Sequence, residues 1–120
     1  MVNVLALFGV PVDQTAFEEY FERTHYPLLH NVTNVQEIVV NRIQGAVEGS
    51  SPLYAIVELR FASEDQMAEG LNSEAGQKMA RDYSRFATGG VTVLICRGSS
   101  ENLMPQLHRL DGSFSQGDAS

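Results

Sequence analysis

Apolar residues along this chain alternate between near-continuous runs, strict two-residue alternation and a 3.6-residue period, and each pattern predicts a different element. Residues 2–10, Val-Asn-Val-Leu-Ala-Leu-Phe-Gly-Val, are almost unbroken in hydrophobicity and bounded by Gly9 and Pro11, which predicts a central strand covered on both faces. A helix over 14–26 follows, with Phe17, Phe21, Thr24 and Leu28 at helical spacing and Glu18, Glu19 and Glu22 on the opposite, solvated face. Asp13 or Thr15 supplies its cap, and Thr15 with Glu18 fits a capping box. Pro27 has no N–H to donate and disfavours helical backbone at Tyr26, so the helix is expected to end or bend there. Residues 35–47 are rich in β-branched residues and predict a second strand, and Gly49, Ser50, Ser51 and Pro52 supply the turn of a hairpin. In 53–61, Leu53, Ala55, Val57, Leu59 and Phe61 alternate with Tyr54, Ile56, Glu58 and Arg60, giving a strand with one core face and one mixed face. Ser63 and Gln66 open a second helix that Asn72 and Ser73 interrupt; Met79, Asp82, Tyr83 and Phe86 recur at helical spacing along its second part. Gly89-Gly90 stops it, and 91–97 predicts a last, substantially buried strand.

The order βαββαβ favours a four-stranded antiparallel sheet with both helices on one face. That leaves the opposite face, with Tyr54, Ile56 and apolar residues of the first and last strands, as a patch larger than a soluble monomer tolerates. Packing two such sheets face to face hides it, so a homodimer is expected. The 120 residues make a single domain over 1–98 and a tail over 99–120. In the tail Leu103, Met104, Leu107 and Leu110 form a short helical stripe near Pro105, while 112–120 are too polar to offset the entropy of ordering.

A formal charge of −7, from 15 acidic and 8 basic residues, argues against nucleic acid or an anionic membrane as partner and more easily accommodates a neutral or weakly polar small molecule; the partner expected is a small hydrophobic or aromatic molecule. One cysteine, Cys96, cannot form an internal disulfide, and no signal peptide or long apolar span opens the chain, so a cytoplasmic protein is expected. Cys96 reads as a small buried hydrophobe, with no basic partner beside it in sequence. His25, His30, His108 and Cys96 lack the close spacing of metal ligands, and no glycine-rich turn opens a helix in the dinucleotide pattern, so neither metal nor cofactor is expected.

The residue that calls for explanation is His25, four after Phe21 and eight after Phe17, and so on the buried stripe of its helix. Phe17, Phe21, His25 and Pro27, followed by Tyr54, Glu58, Leu59 and Phe61 and then by Ser73, Gly76, Asp82 and Phe86, resemble the EthD family, named for ethyl tert-butyl ether degradation. The resemblance covers about residues 2 to 98, and its most specific part is aromatic-x3-aromatic-x3-His-x-Pro. It implies an α+β fold: ferredoxin-like βαββαβ protomers pairing into a dimeric α+β barrel, with relatives that include cofactor-free isomerases, cyclases, decarboxylases and dehydratases.

His25 is therefore the candidate general acid/base, the role imidazole fills best near neutral pH; the alternative is a histidine that satisfies the last carbonyls of its helix. Because both helices run back against the sheet, their C-terminal turns lie at one end of the molecule, which sets Asp82 within reach of His25 as its orienting acid. A surface Asp82 neutralised by Arg81 or Arg85 is the other reading. Tyr26, Tyr54, Glu58 and Phe86 are the candidate substrate-binding residues, although Glu58 could equally pair with an arginine across a subunit interface and Phe86 could be core. The function expected is cofactor-free isomerisation, cyclisation or decarboxylation of a small aromatic or lactone-like compound. The alternatives are a non-catalytic binding or accessory protein for a hydrophobic metabolite of a catabolic or biosynthetic cluster, and a cofactor-free oxygenase.

Overall fold

The strand patterns assemble into one sheet of order β2-β3-β1-β4, antiparallel throughout. In this computed structural model, which describes residues 1–104, the strands are β1 (Val2–Gly9), β2 (Glu37–Arg42), β3 (Leu53–Phe61) and β4 (Val91–Arg97). Val2, Val4, Ala6 and Phe8 of β1 and Ala55, Val57, Leu59 and Phe61 of β3 are buried beneath the helices, and register pairs Val4 with Leu59 and Ala6 with Val57. The expected stripe from Leu103 to Leu110 and the segment 112–120 fall largely outside the described residues; within them, Leu103 and Met104 are exposed.

The first helical rod runs past Pro27, contrary to expectation. It comprises α1 (Gln14–Tyr20), a π-helical turn (Phe21–His25) and α2 (Tyr26–His30). Asp13 caps it, its carboxylate accepting the Ala16 N–H at 3.0 Å. In the π turn the Tyr26 N–H reaches back five residues to the Phe21 carbonyl. A proline inside a helix lacks one N–H and collides with the carbonyl four residues earlier, here that of Arg23; the widened turn absorbs both defects, so the rod continues. His25 thus sits mid-rod rather than in a last turn.

The second helical unit is broken where Ser73 stands. Ser63 caps α3 (Glu64–Asn72) through the Gln66 N–H, and Ser73 caps α4 (Glu74–Asp82) by accepting the Gly76 N–H at 3.1 Å while donating to the Gly70 carbonyl at 2.6 Å. Gly76 is required at this bend: a Cβ there would lie 2.2 Å from the Gly70 carbonyl oxygen. A short 3-10 turn (Tyr83–Arg85) then leads to Gly90, whose φ of +92° suits glycine, and into β4.

Three strand expectations are revised. β2 is six residues rather than the thirteen of 35–47, because after the half-buried Ile43, whose N–H still reaches the Tyr54 carbonyl, the chain leaves the sheet and Val47 stands fully in solvent. β4 is an edge strand, and Val93, Leu94 and Ile95 are exposed, Ile95 at 66%, instead of substantially buried. Tyr54 does not share the face of Ile56 and Glu58. Gly9 pairs with Leu53 but Phe8 with Ala55, so Tyr54 is the extra residue of a β-bulge, which turns it toward the helices and edge-on to Phe17 with ring centroids 5.3 Å apart. The face away from the helices holds Asn3, Leu5 and Leu7 of β1 beside Arg60, Glu58 and Ile56 of β3 and Cys96, Leu94 and Thr92 of β4.

Candidate active site

The π turn and the α3–α4 bend bring His25 and Asp82 together inside the protein. His25 Nδ1 lies 3.0 Å from Asp82 Oδ2, with His25 1% and Asp82 3% exposed. The other carboxylate oxygen, Oδ1, accepts the Tyr20 hydroxyl at 2.7 Å, and Arg85 Nη1 stands 4.0 Å from it. Asp82 is therefore not a surface acid, and His25 does not cap helix carbonyls. Around the imidazole is an aromatic cage: Phe86, Tyr83 and Phe21, with ring centroids at 4.6, 4.9 and 5.9 Å.

The electrostatics select one protonation form. Removal from water lowers the pKa of His25 below 6.5, and this outweighs the opposing hydrogen bond and charge of Asp82, which raise it. A neutral imidazole beside a carboxylate must donate from Nδ1, which leaves Nε2 as a bare acceptor. That nitrogen is buried and makes no hydrogen bond. The two phenols of the cluster stay protonated: burial pushes the Tyr83 hydroxyl up to about 12, and the Asp82 hydrogen bond, followed by burial, raises that of Tyr20.

Beside the cage, across Phe21, opens a cleft of about 430 Å³ between α1 and β2, lined by Glu18, Glu19, Phe21, Glu22, Tyr26, Val40 and Arg42. Arg42 clasps Glu18 in a two-pronged ion pair, with Nη2 2.7 Å from Oε1 and Nε 3.0 Å from Oε2, and the Tyr54 hydroxyl donates to Glu18 Oε2. The Arg42 hydrogen bond is the main cause holding the Glu18 carboxyl below its ordinary range.

Of the residues singled out from the sequence, His25, Asp82 and Phe86 converge, and Tyr26 lines the adjoining cleft. Tyr54 reaches the cleft's rim through Glu18. Glu58 stands apart, on the helix-free face of the sheet, paired with Arg60 Nε of its own chain at 3.0 Å. Sequence reasoning missed Tyr20, Glu18 and Arg42. Tyr20 lies three residues after Phe17, on the flank of the apolar stripe, and a hydroxyl-bearing ring at such a flank is the signal that could have found it. Among the described residues no group of three or more His, Cys, Asp or Glu is arranged to hold a metal ion, and no helix is long and apolar enough to cross a membrane.

Residues 4–97 match the family described as REDY-like protein HapK. The chain belongs to this family. It is also 30% identical over 106 residues to an uncharacterized 11.0 kDa protein in the thcB-thcC intergenic region of Rhodococcus erythropolis, an alignment covering 88% of this chain and all of that protein. Among solved structures, an ethyl tert-butyl ether degradation (EthD) family protein of Bacillus halodurans superposes with a TM-score of 0.77 at 27% identity, covering 82% of this chain and 99% of that one. This agrees with the EthD resemblance carried by His25, Pro27 and the residues after them. A hydroxynitrile lyase from Passiflora edulis shares the fold at a TM-score of 0.64 and 14% identity, over 84% of this chain and 96% of that one. The HapK-like chain thus has the α+β fold of a group that contains small-molecule enzymes.

Proposed function

We propose that this HapK-like protein is a small-molecule enzyme of acid/base chemistry that needs no cofactor, with His25 Nε2 taking a proton from one position of the substrate and returning it to another. The observation that carries this reading is the unpartnered, buried Nε2 of a neutral imidazole whose other nitrogen is held by Asp82. A buried polar atom without a partner costs about 1–3 kcal/mol, and a ligand proton is what would satisfy it. The substrate would lie in the α1–β2 cleft, whose volume suits a small aromatic or lactone-like compound, and would meet His25 by rotation of Phe21, the ring that borders both. Three carboxylates against one already paired arginine make the cleft unfit for anions. Isomerisation and cyclisation are the reactions such a base serves in this cleft, whereas a decarboxylation would bring an anionic substrate against the three carboxylates. The protein would act as a homodimer, hiding Leu5, Leu7, Ile56 and Leu94, and its single free thiol fits a cytoplasmic setting.

A second reading is favoured by the closure of His25, only 1% exposed: a binding or accessory protein that holds a hydrophobic metabolite in the cleft, with the His25–Asp82 pair joining the π turn to α4. Native mass spectrometry of the purified protein, followed by incubation of any released ligand with fresh protein, separates the two. The enzyme reading expects turnover by the wild type and a loss of about 10²–10⁴-fold in His25→Ala. Binding without turnover, or turnover that His25→Ala retains, contradicts it.

A further inference from the structure

Asp82 is commonly pictured in such a pair as acting on the histidine alone, but here its two oxygens serve two different donors. Oδ2 faces the imidazole and Oδ1 accepts the Tyr20 hydroxyl at 2.7 Å. The Tyr20 ring lies flat on Phe86, centroids 5.2 Å apart and planes 20° from parallel, and Phe86 in turn packs on His25. Tyr20 is therefore fixed by its ring, and its hydroxyl donates to the Asp82 carboxylate, with the Arg85 guanidinium close enough to act on that hydroxyl as well.

Two consequences follow from that bond. Rotation of the carboxylate about its Cβ–Cγ bond would break both hydrogen bonds at once, so the Tyr20 donor pins the plane that aims Oδ2 at Nδ1. Without it, the nearest alternative for Oδ1 is Arg85, 4.0 Å away and 72% exposed, which would draw the carboxylate outward. A donor on Oδ1 also withdraws negative charge from the carboxylate, and a carboxylate with less charge to offer supports an imidazolium less. We propose that Tyr20 is a positioning residue for His25, acting through Asp82: its hydroxyl fixes the carboxylate plane and shares its charge, holding the imidazole neutral, protonated on Nδ1, with Nε2 free. Its value to catalysis rests on the acid/base reading above, whereas its effect on His25 does not.

The groups that face this unit are few. Asp82 meets His25 from α4, Tyr83 from the 3-10 turn, and Tyr20 and Arg85 act through Asp82 from α1 and from that same turn. Tyr83 stays protonated throughout the range in which His25 titrates.

Titration of the His25 ring by NMR, in full-length wild type and Tyr20→Phe, tests the proposal with no knowledge of the substrate. The phenylalanine keeps the stack on Phe86 and removes only the hydroxyl. The His25 midpoint should rise by about one pH unit. Site-specific 3-fluorotyrosine at position 20, a more acidic phenol that donates more strongly, should move the His25 midpoint the other way, and it keeps both ring and hydroxyl should the phenylalanine variant fail to fold. An unmoved midpoint in both variants, or movement in the same direction, overturns the proposal. Where turnover is available, Tyr20→Phe should lower kcat with little change in KM. A shifted midpoint in a protein whose His25→Ala variant still turns over upholds the positioning role and removes the catalytic reading.

Discussion

At the scale of single residues, the site depends on an imidazole kept neutral by burial although a carboxylate touches it. This has a consequence for stability. His25 has a lower pKa in the folded protein than the 6.5 of the unfolded chain, so below pH 6.5 the unfolded state binds more protons. Its contribution to stability is therefore whole above pH 6.5 and is lost as pH falls toward the folded value. Chemical denaturation between pH 7.5 and pH 5 should show stability falling, and His25→Asn should flatten that slope; a wild type that gains stability over the same interval contradicts the assignment. Glu18, held below 4.5 chiefly by Arg42, adds its own loss only at lower pH. His25 and Asp82 were legible in the sequence because each lies on an apolar helical stripe, where a titratable group has no solvent reason to be. Tyr20 was not, because its ring reads as ordinary packing and only the folded structure shows where the hydroxyl goes.

Among the elements, the one that most departs from expectation is the rod containing the π turn. Pro27 carries a true signal of irregularity, but its local rule speaks of a break, whereas packing of Leu29 and Val32 in the core favours continuation with one residue inserted. The insertion sets the angle between the Phe17–Phe21 stripe and His25. Deleting Thr24, an exposed residue of the π turn, should remove the widened turn, shift His25 by about 1.5 Å and a few tens of degrees relative to Phe21, and press Pro27 against the carbonyl four residues before it. Helix content by circular dichroism should persist, while the His25 ring should lose its Asp82 partner and titrate like a solvated histidine. A variant that keeps the wild-type His25 titration would show that the turn is incidental. The bulge at Tyr54 was invisible for a related reason: perfect alternation from Leu53 to Phe61 contains no mark of the residue that the partner strand skips. The Ser63 cap was legible, because capping is decided by residues three or four apart; at Ser73 the interruption was legible but the cap it gives the next helix was not.

For the whole molecule, the order of elements, the antiparallel sheet and the covering of one face by both helices follow from hydrophobic period and chain connectivity, which are readable along a single chain. What covers the other face is not written in any one stretch. Leu5 and Leu7 of β1 lie beside Ile56 of β3 and Leu94 of β4 on that face, with Glu58 and Arg60 at its margin, and a second copy is the covering we propose. Light scattering should give a dimer at micromolar concentration, and Ile56→Asp should give monomer or aggregate; a monomeric wild type would contradict the pairing. The central claim, that His25 Nε2 moves a proton on a bound small molecule, is tested most directly by deuterium exchange. A panel of small aromatic ketones, phenols and lactones is incubated in D2O with the wild type or with His25→Ala, and isotope uptake at carbon is followed by NMR. The account predicts catalysed uptake into at least one compound by the wild type, reduced about 10²-fold or more in His25→Ala while the compound still binds. Equal uptake with both proteins, or none with the wild type for a compound shown to occupy the cleft, would contradict it.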